Sequence, residues 1–200
     1  MENRFKDLKP GHLYIAGVII SFFAIIISAL RIGEIYSTLS EFGADYRTAF
    51  LFNFLMFVSG IILIIGCIQL CRVNFKKYGI FRTIALLIST SSLAFIGLFP
   101  LGISQNIRGI HHIFTFLFFF GMPICMILFG TLFYKSNQTI FLILTTLGVL
   151  DFIQIVIFYN SRQPMLWQWI GIIIILIFNF ILLVYSSSLS KINNEFEELE

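Results

Sequence analysis

The sequence predicts an all-α fold: an integral membrane bundle of six transmembrane helices in a single domain, residues 1–200, with both termini cytoplasmic. Three observations predict it. The 200-residue chain is 58% hydrophobic and holds 25 Phe, more apolar surface than a soluble domain of this length can hide. That surface gathers into stretches near 13–30, 49–70, 83–99, 113–134, 139–159 and 167–189. Each is close to the about 20 residues that carry a helix across a hydrocarbon core of about 30 Å. The third observation is the uneven placement of positive charge between these stretches.

Arg4, Lys6 and Lys9 precede the first stretch, and Arg72, Lys76, Lys77 and Arg82 fall between the second and third. Lys135 separates the fourth and fifth, and Lys191 follows the sixth. The alternate connections hold Arg31, Arg47, Arg108 and Arg162 but no Lys. Positive charge is retained on the cytoplasmic side, so helices 1, 3 and 5 should run outward and helices 2, 4 and 6 return. The cell membrane is the expected location. The Arg72–Arg82 group also suits lipid headgroups, although orientation alone accounts for it. The first stretch is too long for a cleavable leader and lacks a small-residue cleavage site, so it reads as a signal anchor.

Helix 1 carries Gly17, Ser21, Ala24, Ser28 and Arg31 at steps of four and three, a small face made to meet another helix. Ile19, Ile20, Phe22, Phe23, Ile26 and Ile27 suit lipid. The long outer loop, Arg31 to Thr48, holds Glu34, Glu41, Asp45 and Arg47. Helix 2 opens with Asn53 and closes with Cys67 and Cys71 on one face. These thiols and Cys125 lack metal or redox spacing and read as small packing residues. In helix 3 the hydroxyls of Ser89, Thr90, Ser91 and Ser92 can bond back to their own helix carbonyls.

A polar loop from Pro100 to His112, with Gly102 and Gly109, leads into helix 4, where Pro123 should kink the helix and free the carbonyl of Phe119. The turn Lys135–Gln138 makes helices 4 and 5 antiparallel neighbours. Helix 6 carries a stripe of Gly171, Ile175, Asn179, Leu182 and Ser186, and Asn179 should hydrogen-bond to a neighbouring helix. Trp167 and Trp169 read as interfacial anchors. Helix 6 should continue briefly past Lys191 into a solvated end with Glu195, Glu197, Glu198 and Glu200.

Asp151 is the acidic residue clearly inside a span, eight residues before Tyr159 and so about 12 Å below the outer end of helix 5. A bare carboxylate there costs about 2.5–3.5 kcal/mol on insertion scales. It must face protein or water, be paired, or be protonated. Gly148 and Gln154 stand three residues to either side, a small polar face. On the same side lie Arg31, Asn53, Arg108, His111, His112, Thr115 and Arg162, with Glu41, Asp45 and Arg47 in the loop above. Together they suggest an outer-side pocket with Asp151 as its buried anchor. Asn53, His111 and His112 would line the mouth, Asp45 and Arg47 would cover it, and Arg108 and Gln154 join them as candidate binding residues. A purely structural role for Asp151, fixing the bundle, competes with this reading.

Other chemistries find less support. His12 lies on the cytoplasmic side, and His111 and His112 point about 100° apart on a helix, so no zinc site forms by counting. No nucleophile motif, phosphate loop or dinucleotide fingerprint is present. No cofactor, metal or nucleic acid is expected. The expected partners are membrane lipids, with a membrane protein or a second copy as further possibilities. Binding or organising a lipid or membrane partner is the leading function, more in keeping with the chain than catalysis. A lipid-modifying enzyme would need a nucleophile or metal near His111 or His112. A small-solute transporter would need a polar path through the cytoplasmic halves of helices 2 and 4, which are apolar apart from Gln69 and Thr131.

The run Leu39-Ser40-Glu41-Phe42-Gly43, then Asp45-Tyr46-Arg47-Thr48-Ala49-Phe50-Leu51-Phe52-Asn53, then Gly60, resembles the start of the domain of unknown function 998 family. Gly97-Leu98-Phe99-Pro100 followed by His111-His112 is similar to its second signature. The resemblance covers roughly Leu39 to Gly130 and implies a small archaeal or bacterial membrane protein of about six helices, without an assigned activity. A more distant similarity, to the Frag/DRAM/Sfk-type proteins, rests on the loop before helix 2 and the His near helix 4. Here Ser40-Glu41 stands where that group tends to have Ser-Asp. It implies shared architecture, in a group some of whose members are implicated in lipid remodelling or lipid-dependent signalling.

Overall fold

The computed structural model describes residues 11–32, 38–101, 104–135, 137–162 and 164–197, with side chains described except at 32, 73–78, 164–165 and 186–197. Among the described residues there are helices and turns but no strand, and six helices are long and apolar enough to cross a membrane. They are α1 (His12–Ile32), α2 (Ala49–Arg72), α3 (Gly79–Leu98), α4 (Gln105–Gly130), α5 (Gln138–Asn160) and α6 (Pro164–Glu197). A 3-10 turn, Leu39–Gly43, precedes α2, and a second, Thr131–Phe133, extends α4.

The expected loop between helices 2 and 3 is not a loop. The backbone stays helical from Ala49 to Leu98 and breaks only at Gly79, where φ 70 and ψ 168 admit glycine readily. No proline or turn cluster interrupts the stretch, so one glycine makes the bend. Nor does α4 begin at the onset of the apolar run near Ile113. Ser104 caps it, its side chain accepting from Ile107 N at 3.3 Å, so His111 and His112 lie in its second turn rather than at its entrance. Asn137 caps α5 in the same way.

Sequence neighbours pack side by side, and α1 also touches α6, so the helices form an up-and-down ring. Glycines set how closely they approach. A Cβ on Gly17 would meet Leu63 and the backbone of Ser59 and Leu63, and one on Gly60 would overlap the backbone of Ala94. The small face read in helix 1 therefore lies on α2, with Gly17, Ala24 and Ser28 buried. Ile19, Phe23 and Ile27 point outward, as a lipid-facing surface requires.

Across the ring, Tyr14 of α1 donates to Asn179 Oδ1 of α6 at 2.5 Å, and Asn179 Nδ2 bonds the Ile175 carbonyl. Phe129 and Phe178, both fully buried, meet edge to face at the centre. The α3 hydroxyls bond back along their helix: Ser89 to Ala85, Thr90 to Leu86 and Ser92 to Ile88. Pro123 lies within an α4 that continues past it. Cys67 and Cys71 are buried with their sulfurs 3.9 Å apart, and Cys125 is buried and free. The N-terminal basic tail, Glu34, Gly102, the side chain of Ser186 and the glutamate side chains after Lys191 lie outside the described residues.

Candidate functional site

Polar groups gather at the end of the bundle that carries the loop before α2 and the connection from α5 to α6. The loop is tied down by bonds to its backbone. Gln168, 5% exposed in the first turns of α6, accepts from Leu39 N at 2.6 Å through Oε1. Thr48 donates to the Phe42 carbonyl at 2.7 Å, and Asn53 Nδ2 to that of Gly43 at 2.9 Å. Glu41 accepts from Thr38 N. The 3-10 turn thereby folds over the helix ends instead of extending into solvent.

Beneath it lies a cavity of about 380 Å³. Its lining mixes polar groups with aromatic and aliphatic walls: Thr38, Ser40, His112, Thr115, Gln154 and Gln168 beside Phe119, Ile155, Phe158 and Tyr159. A narrower, nearly apolar cleft of about 80 Å³ adjoins it and runs down the bundle axis toward Tyr14 and Asn179. Ser40, Thr115, Phe119 and Gln168 line both, so the two spaces meet where polar lining gives way to apolar. The Thr115 hydroxyl, at that junction, has no hydrogen-bond partner among the described residues.

Asp151 is fully buried and points into the bundle. Gly148, one turn before it, packs on Pro123 and Ile127 of α4, and Gly171 of α6 closes the other side. A Cβ on Gly171 would stand 2.8 Å from Gln154 Oε1 and 3.3 Å from Asp151 Oδ1, so both side chains pack close against the bare backbone of that glycine. Gln154 Nε2 donates to the Trp167 carbonyl at 2.6 Å. Gln154 Oε1 and both Asp151 oxygens have no hydrogen-bond partner among the described residues. A buried carboxylate in that condition is costly, as is an unmet buried amide oxygen.

The other sequence candidates do not converge on this point. His112 lines the larger cavity, but His111 turns away from it: its Nδ1 donates to the Phe99 carbonyl at 2.8 Å and its ring is buried between α3 and α4. The two imidazoles stand 6.0 Å apart at 79°. Successive helical positions diverge, so adjacent histidines cannot share one mouth. Asn53 borders a separate open groove with Gly43, Phe54, Gly97 and Leu101. Arg108 is exposed on the first turn of α4 and lines none of these spaces. Asp45 and Arg47 are joined to each other, Nε at 3.0 Å and Nη2 at 2.9 Å from the carboxylate, with Arg47 N at 2.8 Å. That pair closes a local turn and does not line the cavity. Among the described residues no three of His, Cys, Asp and Glu gather as a metal would need.

Two residues that sequence reasoning missed matter here. Gln168 was legible only as an amide between two tryptophans at the head of an apolar run. Arg82, read as a connector charge, donates Nε to the Leu128 carbonyl and Nη2 to Thr131 Oγ1, both at 2.6 Å, and so fastens α3 to the far end of α4.

No curated relative and no solved structure matches the chain. The likeness to the Frag/DRAM/Sfk-type proteins rests on the sequence motifs alone. One family model does match, over residues 15–185, which includes all six helical spans in whole or in large part, and the chain belongs to that family, described as protein of unknown function (DUF998).

Proposed function

We propose that this multi-pass membrane protein binds or organises a membrane lipid, or a lipid-like partner, through the cavity beneath the loop before α2. One observation carries the reading. A space with hydrogen-bonding groups in its wall opens directly into an apolar cleft, and the two share Ser40, Thr115, Phe119 and Gln168. An amphiphile changes character along its length in the same way. Binding sites generally combine mostly apolar walls with a few placed polar groups. The positive charge distribution, which favours an outward-facing loop end, adds that the site draws its ligand from the outer leaflet.

Binding is favoured over catalysis because the two amides of the cavity wall each hold backbone: Gln168 through Leu39 N and Gln154 through the Trp167 carbonyl. Such groups shape and hold a pocket. Native mass spectrometry of the protein extracted with its own lipids tests the reading. The expected result is a lipid adduct of fixed stoichiometry, lost from Thr115→Trp, whose side chain fills the junction while helicity by circular dichroism is kept. Bare protein under the mildest extraction, or an adduct unchanged in that variant, overturns it.

A further inference from the structure

Resting on the lipid-binding reading above, we propose that the seam between α1 and α6 is a lateral portal, through which one acyl chain of the bound lipid passes from the apolar cleft into the bilayer. The seam separates two spaces. Inside is the cleft that runs down the bundle axis from Gln168 to Tyr14 and Asn179. Outside is an almost wholly apolar groove of about 460 Å³ between the two helices, with exposed Ile19, Phe180 and Val184 along it. Val18, Leu176 and Asn179 line both spaces, so the wall between them is one side chain thick.

The three side chains of that wall differ in freedom. Asn179 is held twice, by the Tyr14 hydroxyl and through its own Nδ2 on the Ile175 carbonyl, and forms a fixed sill. Val18 and Leu176 stand about one helical turn nearer the loop end, apolar and half-buried. Rotation of these two side chains joins cleft to groove. The seam is also loosely packed. Among the described residues a glycine is set into every other seam of the ring: Gly17 between α1 and α2, Gly60 between α2 and α3, Gly121 against Ser89, Gly148 against Pro123 and Gly171 against Gln154. None is set between α1 and α6, and α1 touches α6 far less than α5 does. Small residues are what let membrane helices approach closely, so this pair stays apart.

The depth suits a lipid tail. Leu176 lies eight residues beyond Gln168 on α6, about 12 Å along the axis, inside the about 15 Å that half a hydrocarbon core spans. A chain that leaves there stays in hydrocarbon throughout. Entry over the loop would carry it through water, at a hydrophobic cost for every methylene, and the bond from Leu39 N to Gln168 fastens the loop across that route.

The test loads the full-length protein, delipidated in dodecyl maltoside, with an equimolar mixture of phosphatidylethanolamine, phosphatidylcholine and phosphatidylglycerol, each carrying a diazirine midway along one acyl chain. After washing and irradiation, peptide mass spectrometry maps the label left by the retained lipid. It should fall on α1 and α6 about Val18 and Leu176, and Thr115→Trp, which fills the junction with the polar cavity, should abolish it. Label at the seam that survives Thr115→Trp marks ordinary boundary lipid and overturns the portal. Label confined to the cavity lining or to other seams also overturns it and leaves lipid binding standing. Retention of no lipid at all removes the parent reading and this inference with it. A second measurement follows the rate of lipid uptake from mixed micelles. Val18→Phe with Leu176→Phe, which thickens the wall, should slow uptake about tenfold. Val18→Ala, which thins the wall, should speed uptake and supplies the answer if the double variant does not fold. Rates that neither change moves overturn the portal.

Discussion

Tyr14 and Asn179 join the first helix to the last: the phenol donates to the amide oxygen at 2.5 Å, and both residues are buried. Six crossings bring the start of α1 and the end of α6 to the same end of the bundle, and this bond locks the ring there. Hydrogen bonds between membrane helices average about 0.6 kcal/mol and reach about 1.7 kcal/mol. Tyr14→Phe should destabilise the protein within that range, because Asn179 keeps its second bond to the Ile175 carbonyl. A double-mutant cycle with Asn179→Leu, measured by unfolding in mixed micelles, should return a coupling energy of similar size. Additive losses would mean that the two side chains act separately.

Glycine supplies a second prediction, because two glycines of this chain sit in opposite environments. Gly60 of α2 lies against the backbone of Ala94, which cannot yield as a flexible side chain can. Gly109 of α4 has nothing within 4 Å of the position a Cβ would take. Gly60→Ala should cost about 1–3 kcal/mol through overpacking. Gly109→Ala should be neutral or stabilise by up to about 1 kcal/mol through helix propensity. Thermal unfolding midpoints of the two variants in one detergent decide it, and equal midpoints would refute the close approach of α2 and α3.

The bundle was legible because its signals are local and additive: the length of each apolar stretch, the small face of helix 1, and the amide of Asn179 in mid-span. Element starts were less so. Ser104 caps α4 from within a polar stretch that reads as loop, and Gly79 bends a helix across charges that read as a connection. The site divides in the same way. Asp151 and Gln154 share a face by their three-residue spacing, and the structure sets them side by side against Gly171.

Depth and charge cannot reveal where a side chain finds its partner. Asn53 meets its need on the Gly43 carbonyl, and Asp45 on Arg47. Both are therefore withdrawn from the cavity, Asn53 by a bond from α2 to the loop and Asp45 by one within the loop. Gln168 is the converse: it reaches back across the chain to Leu39 N, a contact that exists only once the loop has folded.

Arg82 yields a third prediction. Its guanidinium spans a backbone carbonyl and a hydroxyl at the end of α4, two directed bonds that an ammonium on a flexible stem does not reproduce together. The group is partly exposed, so its loss should cost about 1 kcal/mol. Arg82→Lys should therefore lower the unfolding midpoint modestly and speed hydrogen exchange selectively in the last turn of α4 and the Thr131–Phe133 turn. Uniform acceleration throughout the bundle would point to a global loss of stability instead.

The orientation expected from the distribution of positive charge invites a direct chemical test. Tyr46, 91% exposed, marks the end bearing the loop before α2, and Lys135, also exposed, marks the opposite end. Cys67, Cys71 and Cys125 are buried, so the native background toward a thiol reagent is low. On intact cells a membrane-impermeant maleimide should label Tyr46→Cys at once, and Lys135→Cys only after permeabilisation. The lysines and the Arg72–Arg82 group then lie inside, as retention of positive charge requires. The reverse pattern would turn the bundle over and place the cavity beneath the loop in the cytoplasmic leaflet. A ligand drawn from the other leaflet would then have to be sought, although the polar cavity and the apolar cleft that it opens into would keep the same chemistry.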